Sequence, residues 1–198
     1  TPVSSNSVVE ACGWFDTVYR TRIGSPYVIE RMNQALVDDT LPVAGYEANG
    51  GFLLASDITL DGKALLALPT RDAALPMLAI LVSARQQGCP VSHLVAVLPP
   101  RYTASDRLKN FPTALSRQKI EALAESGEAV EALFGDLCGT VKQTDRTDGL
   151  RITFENDEII HLRPSGNAPE LRCYNEASSQ TRVQVLNQAC MGRLAAWQ

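Results

Sequence analysis

The chain has 198 residues, with 18 basic and 22 acidic side chains and a formal net charge of −4. That length admits one large domain or two small ones, and the mild acidity excludes a general nucleic-acid binder, which needs a basic face. No apolar run approaches the roughly 20 residues needed to cross a bilayer, so neither nucleic acid nor membrane is expected as a partner.

The cysteines Cys12, Cys89, Cys138, Cys173 and Cys190 are odd in number and far apart, and the histidines are only His93 and His161. A zinc site or a disulfide framework is therefore not expected, no metal ligands are assigned in this chain, and reduced thiols point to a cytoplasmic setting. Thr1-Pro2-Val3-Ser4-Ser5-Asn6 has no basic or apolar region of a signal peptide. The missing initial Met points to a piece of a longer chain.

Asn6 or Ser7 can cap a short helix through Val8, Val9, Ala11 and Cys12, with Gly13 as its stop. Thr17-Val18-Tyr19-Arg20-Thr21 reads as a strand. Ser25 then serves as N-cap and Pro26 as first residue of a helix whose inner face is Val28, Met32, Ala35 and Leu36. Leu41-Pro42-Val43-Ala44 leads into Gly45-Tyr46-Glu47-Ala48-Asn49-Gly50-Gly51. A loop with a carboxylate and an amide between glycines can hydrogen-bond vicinal hydroxyls, or it can be a tight turn with solvated polar groups. Asp57, Asp61 and Gly62 look like a turn and lack the tight acidic cluster that magnesium needs. Thr70-Arg71-Asp72 caps a helix carrying Leu75, Leu78, Ala79 and Val82, ended by Gly88. Pro76 is tolerated there if that helix starts near Asp72 or Ala73.

Leu98-Pro99-Pro100-Arg101-Tyr102 is a stiff extended joint, and Thr103-Ala104-Ser105 reads as part of it. A helix follows from about Ser116 to Phe134, interrupted by Gly127. Asp148-Gly149 turns into the alternating strand Leu150 to Phe154, and Asn156-Asp157-Glu158 makes the hairpin into Ile159 to Leu162. A last helix shows Val183, Leu186, Cys190, Leu194 and Trp197 at core spacing.

Between the last two strand-like runs lies Arg163-Pro164-Ser165-Gly166-Asn167-Ala168-Pro169-Glu170-Leu171-Arg172. Arg offers a planar fork that matches phosphate oxygens, Ser adds a hydroxyl, and Gly166 frees backbone N–H groups to form an anion-binding nest. Pro164 and Pro169 stiffen the loop. Read alone, Arg-x-Ser-Gly is more often just a solvated turn.

The longer string, Arg-x-Ser-Gly-(Thr or Asn)-x-Pro followed by a strand with Arg172 and then Glu176-Ala177, resembles the phosphate-binding loop of the α-D-phosphohexomutases. That superfamily includes phosphomannomutase, phosphoglucomutase and phosphoglucosamine mutase. The resemblance implies that Arg163, Ser165, Gly166, Asn167 and Arg172 bind the substrate phosphate that is not being transferred. Glu47 and Asn49 match positions of the family's sugar-recognition loop, Gly-Glu-x-Ser-Gly-His. Here Asn49 takes the place of Ser, and Gly50-Gly51 replaces the region of the His. Arg22 or Ser25 falls where many members contact the phosphosugar.

The same resemblance implies the fold class and the domain layout. Residues 1–97 are expected to be the C-terminal part of domain 3, a partial α/β/α sandwich. Residues 98–198 are expected to be domain 4, a small antiparallel sheet with helices on one side, similar to the TATA-binding-protein fold. Together they read as α/β plus α+β. Neither the Thr-Ala-Ser-His-Asn-Pro nucleophile loop nor the Asp-Gly-Asp-Gly-Asp-Arg metal loop of the family is present. Thr103-Ala104-Ser105 mimics the former but continues Asp106-Arg107. The expected function is thus the substrate-binding part of a phosphohexomutase, with phosphomannomutase as first choice, and no catalytic residue in this chain. The full-length enzyme would interconvert hexose 6-phosphate and hexose 1-phosphate through a hexose 1,6-bisphosphate, using a phosphoserine and Mg2+ held by N-terminal domains of the same enzyme. The alternatives are a non-catalytic phosphosugar-binding or regulatory module and a structural protein with an incidental Arg loop.

Overall fold

The computed structural model describes residues 1–38 and 42–197, so Leu41 in the lead-in to the Glu47 loop lies outside the described residues. The chain divides into two compact units, Thr1–Pro99 and Pro100–Gln198.

In the first unit, helix α1 (Val8–Ala11) is a single turn whose first N–H groups meet the Asn6 side chain at 2.8 Å. The expected strand at Thr17–Thr21 does not form. Thr21 makes only an isolated parallel bridge with Pro2, because just Thr1–Val3 lies beside it. Arg20 instead closes the N-terminal turn, bonding both carboxylate oxygens of Glu10 and the carbonyls of Pro2, Ser5 and Asn6.

Helix α2 (Ser25–Val37) is capped by Gly24 at φ 135°, not by Ser25, so the Ser25 hydroxyl is released for another partner. Its buried Val28, Met32 and Ala35 pack with Val43 and Leu53 into a small core. Strands β1 (Ala44–Tyr46), β2 (Phe52–Leu54) and β5 (Leu68–Asp72) form an antiparallel sheet in the order β1-β2-β5. Gly45 lets α2 lie close on β1: an added Cβ would sit 2.5 Å from Met32 Sδ and 2.6 Å from Val28. Strands β3 (Ile58–Leu60) and β4 (Lys63–Leu65) form a separate hairpin around Asp61-Gly62. Thr70 and Arg71, expected in a helix cap, belong to β5, and Asp72 alone caps helix α3 (Ala74–Gln86), accepting from Ala74 and Leu75. Pro76 falls in the first turn, where its missing N–H costs nothing. The stripe expected to face inward is open, with Leu78 and Val82 exposed beside Met77 and Leu81. Helix α4 (Val91–Ala96), which the sequence pattern does not announce, follows.

In the second unit, strand β6 (Tyr102–Lys109) contains Thr103-Ala104-Ser105, which is therefore sheet and not joint. It pairs along its whole length with strand β10 (Glu170–Ala177), and that continuous ladder is why the segment is ordered as an edge strand. The single helix expected from about Ser116 to Phe134 is two, α5 (Thr113–Ala124) and α6 (Gly127–Cys138). The break has a local cause: Ser126 is extended and its hydroxyl accepts from Ala129 N–H at 3.0 Å, starting a new helix.

Strands β7 (Val141–Asp145), β8 (Leu150–Phe154) and β9 (Ile159–Pro164) complete an antiparallel sheet of order β6-β10-β9-β8-β7. Helix α7 (Gln180–Ala195) closes the unit, capped by Ser179. The strand residues Leu150, Ile152, Phe154, Ile160, Leu162, Leu171 and Cys173 all point to one face. There they meet Ile120, Leu123, Val130, Phe134, Leu186, Cys190 and Leu194 from the three helices. Each such Leu, Ile or Phe contributes about 1.5–3 kcal/mol by burial. Helices therefore cover one face, and the alternate residues, which include every arginine of these strands, occupy the other.

Candidate functional site

The open face of the second sheet is organised in rows. Arg107, Arg172 and Arg163 lie directly opposite one another on β6, β10 and β9. The next row is Ser105, Tyr174, His161 and Arg151. Like charges opposite one another are destabilising without counter-ions, and two carboxylates supply them. Asp148 accepts Arg163 Nε at 2.9 Å, and Glu170 lies 3.4 Å from Arg172 and 3.5 Å from Arg107.

The loop after β9 begins beside this row. Ser165 N–H donates to Glu170 O at 2.9 Å, Glu170 N–H to Ala168 O at 2.8 Å, and Phe111 N–H to Pro169 O at 2.8 Å. Phe111 is itself fully buried, so the loop end is pinned to the core. Ser165 N–H is thereby committed within the loop. Asn167 N–H approaches the Ser165 hydroxyl only at 3.4 Å. Gly166 is not among the glycines with positive φ, and open space surrounds its missing Cβ, so its contribution is access rather than an unusual backbone. Ser165 is buried, while Gly166 and Asn167 are exposed. Arg163 is anchored through its Nε by the Asp148 carboxylate at 2.9 Å.

The anchor itself was not legible as a site in the sequence. His161 is 1% exposed, its Nε2 lies 2.6 Å from Asp148 O, and its ring stacks on Tyr174 with centroids 5.3 Å apart. Burial pushes its pKa down to about 4, against the raising effect of that carbonyl, so the ring is neutral and donates to it. His161 thus fixes the Asp148 turn, and Asp148 fixes Arg163. The signal available in sequence was the alternation of Ile160, His161 and Leu162, which puts His161 on the face opposite the core.

In the first unit, Glu47 and Asn49 lie in the loop between β1 and β2. Glu47 is 6% exposed, and its Oε2 accepts from the Ser25 hydroxyl at 2.6 Å and lies 3.4 Å from Arg71 Nε. Asn49 is exposed, and its side-chain oxygen accepts from Gly51 N–H at 3.1 Å. The structure brings Ser25 and Glu47 together. Arg22 is exposed, with its guanidinium 4.8 Å over the Tyr27 ring. The cysteines are all free, and burial pushes Cys138 up to about 12, so this thiol is not a nucleophile. Among the described residues no group of three or more His, Cys, Asp or Glu could hold a metal ion, and no helix is long and apolar enough to cross a membrane.

Two family models match the chain. Residues 1–102 match the phosphoglucomutase/phosphomannomutase α/β/α domain III, and residues 115–191 match the phosphoglucomutase/phosphomannomutase C-terminal domain. Fold and loops together define a chain of the phosphohexose mutase class. The chain belongs to the phosphoglucomutase/phosphomannomutase family. It is 46% identical over 186 residues to a phosphomannomutase of Sinorhizobium fredii, covering 94% of this chain and 39% of that protein. A phosphomannomutase of Salmonella muenchen is also 46% identical, over 90% of this chain and 37% of its own length. The chain therefore spans well under half of these relatives. A probable phosphoglucosamine mutase of Methanobrevibacter smithii is 32% identical over 38% of the chain and 18% of its own length. A crystal structure of a phosphoglucomutase/phosphomannomutase family protein from Burkholderia thailandensis shares the fold at a TM-score of 0.59 and 15% identity, over 90% of this chain and 32% of that one.

Proposed function

We propose that the chain is the substrate-binding part of a phosphohexomutase, with mannose phosphates as first substrate and glucose phosphates as second. Residues 1–97 are assigned to domain 3 and residues 98–198 to domain 4. Arg163, Ser165, Gly166, Asn167 and Arg172 grip the phosphate that is not being transferred, and Glu47 with Asn49 receives sugar hydroxyls. Ser25 acts on Glu47 as a positioning residue, and Arg22 keeps only the status of a peripheral contact.

The observation that carries this reading is the Asp148–Arg163 pair. An arginine whose side chain is only 15% exposed and is bound through Nε at 2.9 Å is orientated before any ligand arrives. A pre-set fork loses little entropy when it meets phosphate, and distal binding energy of that kind positions the reacting end of a substrate. The chemical step, with its phosphoserine, Mg2+ and hexose 1,6-bisphosphate, is assigned to domains of the enzyme outside this chain. The described residues here offer no cluster that fits Mg2+, and no step is routed through it. A cytoplasmic location accompanies this assignment.

Replacing Arg163 with Ala in the full-length enzyme should lower kcat/KM by about 100-fold, near 3 kcal/mol, with both KM and kcat affected. Assay on mannose 1-phosphate, glucose 1-phosphate and glucosamine 1-phosphate ranks the substrates. Wild-type kinetics for the variant would remove the loop from the substrate site.

A further inference from the structure

One feature of the open sheet face lies outside the loop just assigned. Ser105, Asp106, Arg107, Arg172 and Tyr174 line an open hollow of about 330 Å³. That volume falls within the roughly 300–1,000 Å³ of small-molecule sites. Its floor is β10 and its rim is the edge strand β6, so it sits beside the loop and not inside it.

Arg107 and Arg172 occupy paired positions on β6 and β10 and both line this hollow, and their counter-charge is thin. Glu170 spans them at 3.4 and 3.5 Å, both longer than a good charge-assisted bond of about 2.7–2.9 Å. Asp106, exposed at the rim of the hollow, has its carboxylate occupied by the backbone N–H of Arg107 at 2.7 Å. Arg172 Nε is buried and has no hydrogen-bond partner. A buried guanidinium N–H left unpaired costs free energy that an acceptor would recover. The other buried side-chain atom without a partner among the described residues is His161 Nδ1, in the neighbouring row of the same face. Tyr174 also lines the hollow, and Ser105 stands opposite it on β6, so two hydroxyls border the arginines.

We infer that this hollow is an anion subsite for a phosphate monoester, bound by Arg107 and Arg172 with hydroxyl donors from Ser105 and Tyr174. Glu170 holds the two arginines apart until the ligand's oxygens replace it at Arg172. A phosphate monoester fits better than a carboxylate because its oxygens can meet two forks and two hydroxyls at once, whereas a carboxylate has two oxygens and one plane. The inference rests on the reading of the loop only through Arg172, which borders both.

The test uses the 198-residue chain with inorganic phosphate and with mannose 6-phosphate, following arginine Nε–H signals and backbone amides by NMR at fixed ionic strength. Phosphate should move the Arg172 Nε–H signal and the β6 amides at Ser105 and Arg107. Arg107→Gln should weaken binding by about tenfold, as loss of a charge-assisted pair does, and Ser105→Ala by less. Arg107 lies on an edge strand with its side chain half exposed, so the variant keeps the fold, and unchanged amide exchange in β9 and β10 verifies that. Tighter binding of mannose 6-phosphate than of inorganic phosphate supports a sugar-phosphate subsite; equal binding supports a grip on the phosphate group alone. Equal affinity in wild type and Arg107→Gln, or no change at Arg172 Nε–H, overturns the inference. If Arg163→Gln loses binding while Arg107→Gln keeps it, the loop reading stands and the hollow fails. If Arg107→Gln loses binding and Arg163→Gln keeps it, the hollow stands and the loop reading fails.

Discussion

The two candidate loops are built with opposite polarity. In the second unit the proposed binding group is a cation, Arg163, and a carboxylate holds it in place at 2.9 Å. In the first unit the proposed binding group is a carboxylate, Glu47, held by a hydroxyl at 2.6 Å and by a guanidinium at 3.4 Å. The difference lies in what stands behind each holder. Asp148 is fixed by a buried histidine and a glycine turn on a five-stranded sheet with a continuous core. Ser25 and Arg71 stand on a short helix start and a three-stranded sheet with a core of a few residues. A holder is only as rigid as its own support, so the arginine loop should be the stiffer of the two.

The largest way to break this comparison is Gly149→Ala. Gly149 has φ +85°, and an added Cβ would lie 2.2 Å from Leu162 O and 3.0 Å from Arg163 Cα. The backbone of β9 cannot yield without disturbing the ladder, so the cost should be roughly 3–5 kcal/mol. Amide hydrogen exchange should show β8, β9 and β10 opening while β1 and β2 keep their protection. Unchanged protection in β9, together with unchanged phosphate affinity, would show that the turn does not support Arg163.

A second test reads the histidine behind the same turn. The folded pKa of His161 is about 4, below its ordinary value of 6.5, because burial disfavours the imidazolium. The unfolded chain therefore binds the proton more readily, and stability must fall as pH drops through 6.5 towards 4. The full contribution is present above pH 6.5, and about 3 kcal/mol should be lost by pH 4. Carboxylates titrate in the same window, so the quantity to measure is the difference between wild type and His161→Gln by urea denaturation at several pH values. That difference should shrink steadily below pH 6.5. A difference independent of pH would mean that His161 is not buried neutral.

How much of this was legible follows from what each signal depends on. The second unit was readable because its strands alternate: Leu150, Ile152 and Phe154 inward, Arg151 and Thr153 outward. The loop around Arg163 drew notice through the longer string Arg-x-Ser-Gly-Asn-x-Pro, since its first four residues alone read as a solvated turn. Asp148 and His161 were not, since their roles come from cross-strand register that no local spacing encodes. Thr103-Ala104-Ser105 was misread as joint because β6 is an edge strand, mostly exposed, and lacks a clean apolar period. Ser25 was read as a helix cap because Ser before Pro usually is one. Gly24, at a φ that favours glycine, took that place and freed the hydroxyl for Glu47. The strand expected at Thr17–Thr21 failed because β propensity needs a partner, and only Thr1–Val3 was beside it.

The smallest effect decides which group holds Glu47. The Ser25 hydroxyl is short and close at 2.6 Å, whereas Arg71 is 3.4 Å away with its side chain half exposed. A hydrogen bond to a buried carboxylate contributes more than an exposed ion pair at that distance. Ser25→Ala should therefore cost the first unit about 1 kcal/mol, and Arg71→Gln less than about half of that, in matched urea titrations. In the full-length enzyme Ser25→Ala should raise KM a few-fold, about 0.5–1 kcal/mol, without the fall in kcat expected for Arg163→Ala. On the proposed reading, a carboxylate that loses its positioning bond keeps its acceptor atoms, only in more orientations, whereas a missing guanidinium cannot be replaced. The reverse ranking, with Arg71→Gln the costlier change, would make the guanidinium the true holder. Both loops would then be arginine–carboxylate pairs differing only in which partner is offered to the ligand.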